Sequence, residues 1–453
     1  MIEQNNVNHL IKTIKQALMT ENNSHLGIKR VAISYTFDEI NIHAWLRYSN
    51  NTQTRYIKSQ AQNTETLTLG SAKQWNYQSN HYQQAKISIM PWLNKGFNIY
   101  SAMMFQALDH NKDSLWNDLA EMTFIIPAIE MVKTETSITL WCNCPIEIAD
   151  QSQHLDSYLN DAFSYHNNLS IPKLTIDQIT SLPKYSEWEN SIKQVLNAMK
   201  QSSLKKLVLA RKTTVEIIDH HSMIELVSES IKNEPNCNIY FQKINITTAF
   251  LSVTPENLYL RKGNHIQCDA IAGTTSKGST SMQTKHLAQS LLNSHKNIAE
   301  HQYVAEYIKE SLIPLCQSIK ITKEKNILEL SHLQHIHSVI EGKLKTTITD
   351  FELLETLHPT PATGGLPKSI GLDLIANIES FNRGLYTGAL GMISHNITEF
   401  FVGIRSCLMQ DNKLFIYTGA GIVADSNALD EWQELDIKME SYLSMTYDIS
   451  YQQ

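Results

Sequence analysis

A chain of 453 residues is long enough for a large core and more than one subdomain. Its 42% hydrophobic and 18% charged content describes a soluble globular protein. The net charge of −7, with no basic run to offset it, argues against nucleic acid as a partner.

Apolar runs such as Leu207 to Ala210 are far too short to cross a bilayer, so no membrane association is expected. The first residues, MIEQNNVNHLIKTIKQAL, make an amphipathic pattern without an apolar signal core or a small-residue cleavage site, which predicts a cytoplasmic protein. Of six scattered cysteines only Cys142 and Cys144 lie close. A lone CxC fits neither a zinc knuckle nor a redox CxxC, and reduced thiols are expected.

Residues 1–175 carry only three glycines and many Asn, Gln and Ser. Periodicity predicts helices over Asn8 to Met19 and Ser101 to Leu108, and strands over Ile28 to Tyr35, Lys86 to Met90 and Ser137 to Cys142. The segment Asp156 to Pro172 is the expected boundary between a variable N-terminal half, 1–175, and a catalytic region, 176–453.

The second half opens with a helical pattern, Trp188, Ile192, Val195 and Met199, and switches to a strand at Lys206-Leu-Val-Leu-Ala-Arg211. Alternation puts Lys206, Val208 and Ala210 on one face. If that face is buried, Lys206 can act as a general base; a lysine at the strand mouth reaching to water is the plainer alternative. The strand Ala249 to Thr254 runs into Pro255-Glu256, where a turn or helix start would present the carboxylate. Cys268-Asp-Ala-Ile-Ala-Gly-Thr-Thr-Ser-Lys-Gly278 is a strand entering a loop whose GxxxxG lacks the following Lys-Ser/Thr, so a Walker A reading fails. On the helix after Asn297, Glu300 shares a face with Val304 and Ile308.

Nine of the sixteen glycines fall between Gly364 and Gly421, alternating with strand-like runs at Phe400 to Ile404 and Leu414 to Thr418. They permit either a small polar ligand against exposed backbone N–H groups or a tightly turning structural sheet. Glu431 and Glu434 follow on one face of a helix. Two helices each offering an inward carboxylate suit octahedral Mg²⁺, whereas each glutamate alone reads as a solvated face.

In order, KLVLAR, TPENL, IAGT, Glu300 in a helix, LQHIHSVIEGKL, LHPTPATGGLP, YTGALG, GIRS, GAGIV and EWQE resemble the chorismate-utilising enzymes, the anthranilate synthase component I-like family. Within it they most resemble the menaquinone-pathway isochorismate synthases, over roughly residues 180–445. The resemblance implies an α+β fold of two large packed antiparallel sheets flanked by helices, with the site in a cleft between the halves. It implies Mg²⁺-dependent isomerisation of chorismate to isochorismate: water adds at C2 while the C4 hydroxyl leaves, which takes a base and an acid. Lys206 would be the base and Glu256 the acid, each in the reverse of its ordinary protonation state. Glu300 and Glu434 would hold the metal, with Glu431 as a supporting or water-mediated ligand. Thr274, His335, Tyr386, Arg405, the N–H groups of Gly419 and Gly421, and Lys438 would bind substrate, while His337 has no role assigned.

Lys206 and Ala272 favour water over ammonia as nucleophile, so no glutaminase subunit is expected. Salicylate synthases and siderophore-pathway isochorismate synthases share the constellation and remain alternatives. The long N-terminal half and the wording of LHPTPATGGLP and EWQE favour the menaquinone type. The chain departs from the usual pattern at GTTSKG, where an arginine often precedes the last glycine, and at Asn297, where relatives often carry an acid. Two other classes fit the sequence less well. A nucleotide-binding transferase lacks its phosphate loop, and a non-catalytic binder would not be expected to keep Lys206, Glu256, Glu300 and Glu434 together.

Overall fold

A computed structural model describes residues 4–21, 24–35, 42, 46, 53–162, 176–217 and 223–446. Among these, two large sheets account for the fold, and every strand pairing in them is antiparallel. The expected α+β architecture is therefore the one observed. The 13-stranded sheet carries, toward one end, Asn238–Lys243, Thr248–Thr254, Ser406–Gln410, Lys413–Ile422 and Lys206–Ile217 side by side. The 9-stranded sheet begins Cys316–Glu329, Leu333–Leu344, His265–Ser276, Asn257–Lys262. Both sheets also take strands from the first 175 residues: Arg55–Ser59 pairs with Asn238–Lys243, and Ile99–Met103 pairs with Ala389–Ile393. Strands buried on both faces, such as Lys206–Ile217, explain the near-continuous apolar runs. The apolar cores lie between the sheets and under the flanking helices.

The first helix, Gln4–Thr20, and the strands Ile28–Tyr35 and Ile138–Pro145 fall where periodicity placed them. Two expectations are corrected. Lys86 to Met90 lies inside the helix Tyr82–Leu93, which buries Tyr82, Ala85, Ile89, Trp92 and Leu93 at helical spacing while Ile87 is 75% exposed. The apparent two-residue alternation of Ile87 and Ile89 was one turn of that helix. Ser101 to Leu108 is no helix: Ile99–Met103 is a strand flanked by Ala389–Ile393 and Met122–Ile126, so pairing on both edges overrides the helix-forming Ala and Met residues. The expected boundary, Asp156 to Pro172, falls on the end of the helix Ser152–Ala162 and then runs outside the described residues.

Most glycines of the 364–421 tract serve close backbone packing. A Cβ at Gly391 would lie 2.0 Å from the Glu399 carbonyl oxygen, and one at Gly365 would lie 2.6 Å from Gly371 Cα. Gly419 and Gly421 differ from these in lining a cavity.

Candidate active site

The strand Lys206–Ile217 lies beside Lys413–Ile422, with Val208 opposite Gly421 and Ala210 opposite Gly419. Val208 turns its own peptide groups away from that partner: its N–H donates to the Gly364 carbonyl and its carbonyl accepts from Arg383. Val208 and Gly421 therefore form a non-hydrogen-bonded pair, and the Gly419 and Gly421 peptide groups point to the strand's other edge. On that edge the neighbouring strand Ser406–Gln410 ends at the Ser406–Tyr417 pair. The two glycine N–H groups thus lie on an open edge, on the wall of a cavity of about 830 Å³ counted to its mouth.

That cavity opens between the two sheets. Val208, Tyr417, Thr418, Gly419 and Gly421 line it from one, and Ile271, Ala272, Thr274, Leu333 and His335 from the other. Glu256, Glu300, Tyr386, Arg405, Glu434 and Lys438 complete the polar wall. Every lining residue among those described is numbered 208 or higher, so among them the cleft lies between the sheets rather than between the two halves of the chain.

The helix His295–Leu312 starts at Ser294, whose hydroxyl accepts the Asn297 N–H. Asn297 packs where a Cβ on Gly273 would meet it at 3.2 Å, and Glu300 follows one turn later, buried. Its Oε1 is 3.1 Å from Lys206 Nζ. Lys206 is wholly buried, so the snorkelling alternative is excluded. It is not on the cavity wall; it stands behind Glu300 and Gly421. A Cβ on Gly421 would lie 2.0 Å from Glu300 Oε1 and 3.1 Å from Lys206 Cε, which is the steric reason for glycine there.

Glu256 is not at a helix start. It sits in the two-residue link between the strands Thr248–Thr254 and Asn257–Lys262 and is 2% exposed. Burial, assisted by the negative charge of Asp269 and opposed by Lys206, pushes its carboxyl up to about 8. A carboxyl with that affinity holds its proton at neutral pH.

The last helix, Ala428–Thr446, is anchored by Trp432, which meets Trp188 and Tyr185 edge-on and carries the Arg211 guanidinium on its face. This orients Glu434 and Lys438 into the cavity, joined at 2.7 Å, with Lys438 Nζ also donating to the Gly419 carbonyl at 2.9 Å. Burial pulls Lys438 down, but Glu434, Glu300 and Glu431 outweigh it and hold the ammonium above the ordinary lysine value. Glu431 lies off the cavity wall. It is buried, bonded to Lys296, and its Oε2 is without a hydrogen-bond partner. Burial and the charge of Glu434 raise it, and Lys296 opposes them.

Tyr386 is buried, stacks on Tyr417 at 5.3 Å, and its hydroxyl would be 2.5 Å from a Cβ on Gly419. Thr274 Oγ1 is 3.2 Å from His335 Nδ1. Burial, with Lys438 and Arg405 nearby, pushes His335 down to about 3, so the ring is neutral at physiological pH. Arg405 adopts φ +47°, pairs with Glu234 at 2.7 Å and donates to Cys237 Sγ. The structure thus gathers Glu256, Glu300, Thr274, His335, Tyr386, Arg405, Gly419, Gly421, Glu434 and Lys438 at one cavity, with Lys206 and Glu431 just behind its wall. Sequence reasoning missed the groups that hold these residues, Asp269, Glu234 and Lys296. Only Asp269 left a signal, since alternation puts it on the same face as Ile271.

Among the described residues, no three His, Cys, Asp or Glu side chains converge as a ready metal site. Glu300 and Glu434 nevertheless share the cavity, and both Lys296 and Lys438 feel Glu300, Glu431 and Glu434 together. Two carboxylates in one polar cavity, a third behind them with an unpaired buried oxygen, and a glycine that leaves Glu300 its room make a donor set that fits a hard divalent cation. No helix among the described residues is long and apolar enough to cross a membrane, and all six cysteines are free and buried.

The sequence profile of the chorismate binding enzymes matches residues 6–446. The chain is 26% identical over 425 residues to the isochorismate synthase MenF of Haemophilus influenzae, covering 92% of this chain and 91% of that protein. Among solved structures it is similar to MenF, the menaquinone-specific isochorismate synthase of Escherichia coli, with a TM-score of 0.84 at 23% identity over 97% of this chain and 100% of that one. Anthranilate synthase component I of Streptococcus pneumoniae shares the fold less closely, with a TM-score of 0.61 at 20% identity, covering 77% and 80% of the two chains. With its fold and nearly its whole length matched, the chain belongs to the chorismate binding enzyme family.

Proposed function

We propose that this chain is an isochorismate synthase of the menaquinone type: a cytoplasmic, Mg²⁺-dependent isomerase that works without a glutaminase subunit. Its catalytic region is 176–453, and the described residues of the first 175 complete the sheets without lining the cavity. The observation that carries the reading is Glu256, a buried carboxyl raised to about 8 on the wall of a cavity that also presents Arg405, Lys438 and the N–H groups of Gly419 and Gly421. An acid protonated at neutral pH is what expulsion of a hydroxyl requires.

Chorismate is a dianion. Arg405, Lys438, the Tyr386 hydroxyl and the N–H groups of Gly419 and Gly421 take its carboxylates, while neutral His335 and Thr274 meet the ring. Glu300 and Glu434, with Glu431 behind them, would hold Mg²⁺, which would supply positive charge to offset one carboxylate. Lys206 Nζ, 3.1 Å from Glu300 Oε1 behind the wall, is the base that takes a proton from the water attacking C2. Glu256 gives its proton to the hydroxyl leaving C4. Ala272, rather than a lysine, stands at that point of the cavity wall, which favours water as the nucleophile.

The test is incubation of the purified chain with chorismate and Mg²⁺, without glutamine or ammonium, and separation of the products by chromatography. Isochorismate is expected. Salicylate with equimolar pyruvate would move the chain to the salicylate synthases.

A further inference from the structure

We propose that Asp269 and His337 are positioning residues for the acid, a pair that clamps the peptide bearing Glu256 and keeps a negative charge beside its carboxyl. The proposal rests on the reading of Glu256 as the acid. Asp269 and His337 come from the neighbouring strands His265–Ser276 and Leu333–Leu344, where Asp269 stands opposite Val339 and Ile271 opposite His337. Residues two apart share a strand face, so Asp269, Ile271 and His337 lie on one side, and Ile271 lines the cavity.

His337 Nε2 is 2.9 Å from Asp269 Oδ1. A carboxylate oxygen only accepts, so Nε2 carries the proton. Asp269 Oδ2 accepts the N–H of Asn257 at 3.0 Å. Asn257 directly follows Glu256, and the N–H of Glu256 itself goes to Thr254 Oγ1 at 3.2 Å. Both ends of the link that projects Glu256 are thereby tied. Glu256 Oε1 is buried without a hydrogen-bond partner, so its proton is governed by burial and by surrounding charge rather than by a direct contact.

The charged groups that bear on Glu256 are Asp269, which favours the protonated acid, and Lys206, which opposes it. Behind them, Glu399 feels the charge of Asp269, and His301 feels Lys206 and His337. Asp269 is 5% exposed, and neither it nor His337 lines the cavity, so the pair acts through Glu256 and not on substrate.

The test is the pH profile of kcat/KM for chorismate turnover by the full chain with saturating Mg²⁺. Its alkaline limb reports loss of the proton from the acid. Asp269→Asn keeps a side chain that can accept from Asn257 but removes the charge, and its limb is expected about one pH unit lower than in the wild type. His337→Leu leaves Asp269 Oδ1 without its donor, loosens the hold of Asp269 on the Glu256 link, and shifts the limb in the same direction by less. His337→Gln restores a donor and returns the limb toward the wild type. Should Asp269→Asn fail to fold, the two His337 variants carry the same readout from a more exposed position. Alkaline limbs that coincide in the wild type, Asp269→Asn and His337→Leu, whatever the loss in turnover, overturn the pair and leave Glu256 in place. A wild-type chain that leaves chorismate unchanged overturns the reading of the acid itself, and the pair with it.

Discussion

Lys206 Nζ and Glu300 Oε1 stand 3.1 Å apart, the lysine wholly buried and the glutamate nearly so. The contact couples the two halves of the proposed chemistry, because the carboxylate assigned to the metal is the one that covers the base. It also makes them structurally dependent, since removing one partner of a buried pair strands the other charge.

Replacing the base tests the first half. Lys206→Ala is expected to lower kcat by at least about 100-fold, the lower range for a lost general base. Chorismate binding is expected to remain measurable by calorimetry, because the carboxylate-binding groups are untouched. Isochorismate formation at the wild-type rate would remove Lys206 from its role.

Glu256 ties activity and stability to pH. Its folded value of about 8 lies above the ordinary carboxyl value of 4.5, so the folded state holds the proton more tightly than the unfolded chain. The stability this contributes is complete below the unfolded value and is lost as pH rises toward 8. Glu256→Gln cannot ionise, so its melting temperature relative to the wild type should rise between pH 5 and pH 9, while turnover falls by about 100-fold or more. A constant difference in melting temperature across that range would mean that Glu256 is ionised in the fold.

Gly421→Ala probes the room that Glu300 needs. The new methyl would fall 2.0 Å from Glu300 Oε1 and displace it, an adjustment the end of a glutamate side chain can make without unfolding the sheet. The variant should fold, require a higher Mg²⁺ concentration for half-maximal rate, and lose about ten-fold or more in kcat/KM. Wild-type Mg²⁺ dependence would place the metal elsewhere.

Metal dependence has its own signature. Chelation by EDTA is expected to abolish turnover and added Mg²⁺ to restore it, and Glu434→Gln should raise the Mg²⁺ requirement more than Glu431→Gln. Glu434 lines the cavity, whereas Glu431 is held behind it by Lys296. Equal effects of the two substitutions would place both glutamates directly on the cation.

Parts of the candidate site were legible because they follow local rules, and the other residues were assigned through the family resemblance. Alternation put Lys206 with Val208 and Ala210, and helical spacing put Glu434 one turn from Lys438. What was not legible depends on contacts between distant segments. Glu431 read as a supporting or water-mediated ligand, but its pairing with Lys296, far away in sequence, had no local signal. The Glu234 carboxylate that holds Arg405 comes from just beyond the helix Met223–Asn233, with no motif to mark it. The shift of Glu256 arises from burial and from Asp269 on a neighbouring strand, neither of which is written in TPEN. In the first half, Lys86 to Met90 misled because a five-residue window cannot tell one helical turn from a strand, and only the burial of Trp92 and Leu93 resolves it.

The central claim is that water enters at C2 of chorismate as the C4 hydroxyl leaves. Its most direct test is turnover of chorismate with Mg²⁺ in ¹⁸O-enriched water, with the product separated and weighed by mass spectrometry. The account predicts isochorismate carrying one heavy oxygen at C2 and no salicylate. Unlabelled isochorismate, or salicylate with pyruvate as the main product, would contradict it.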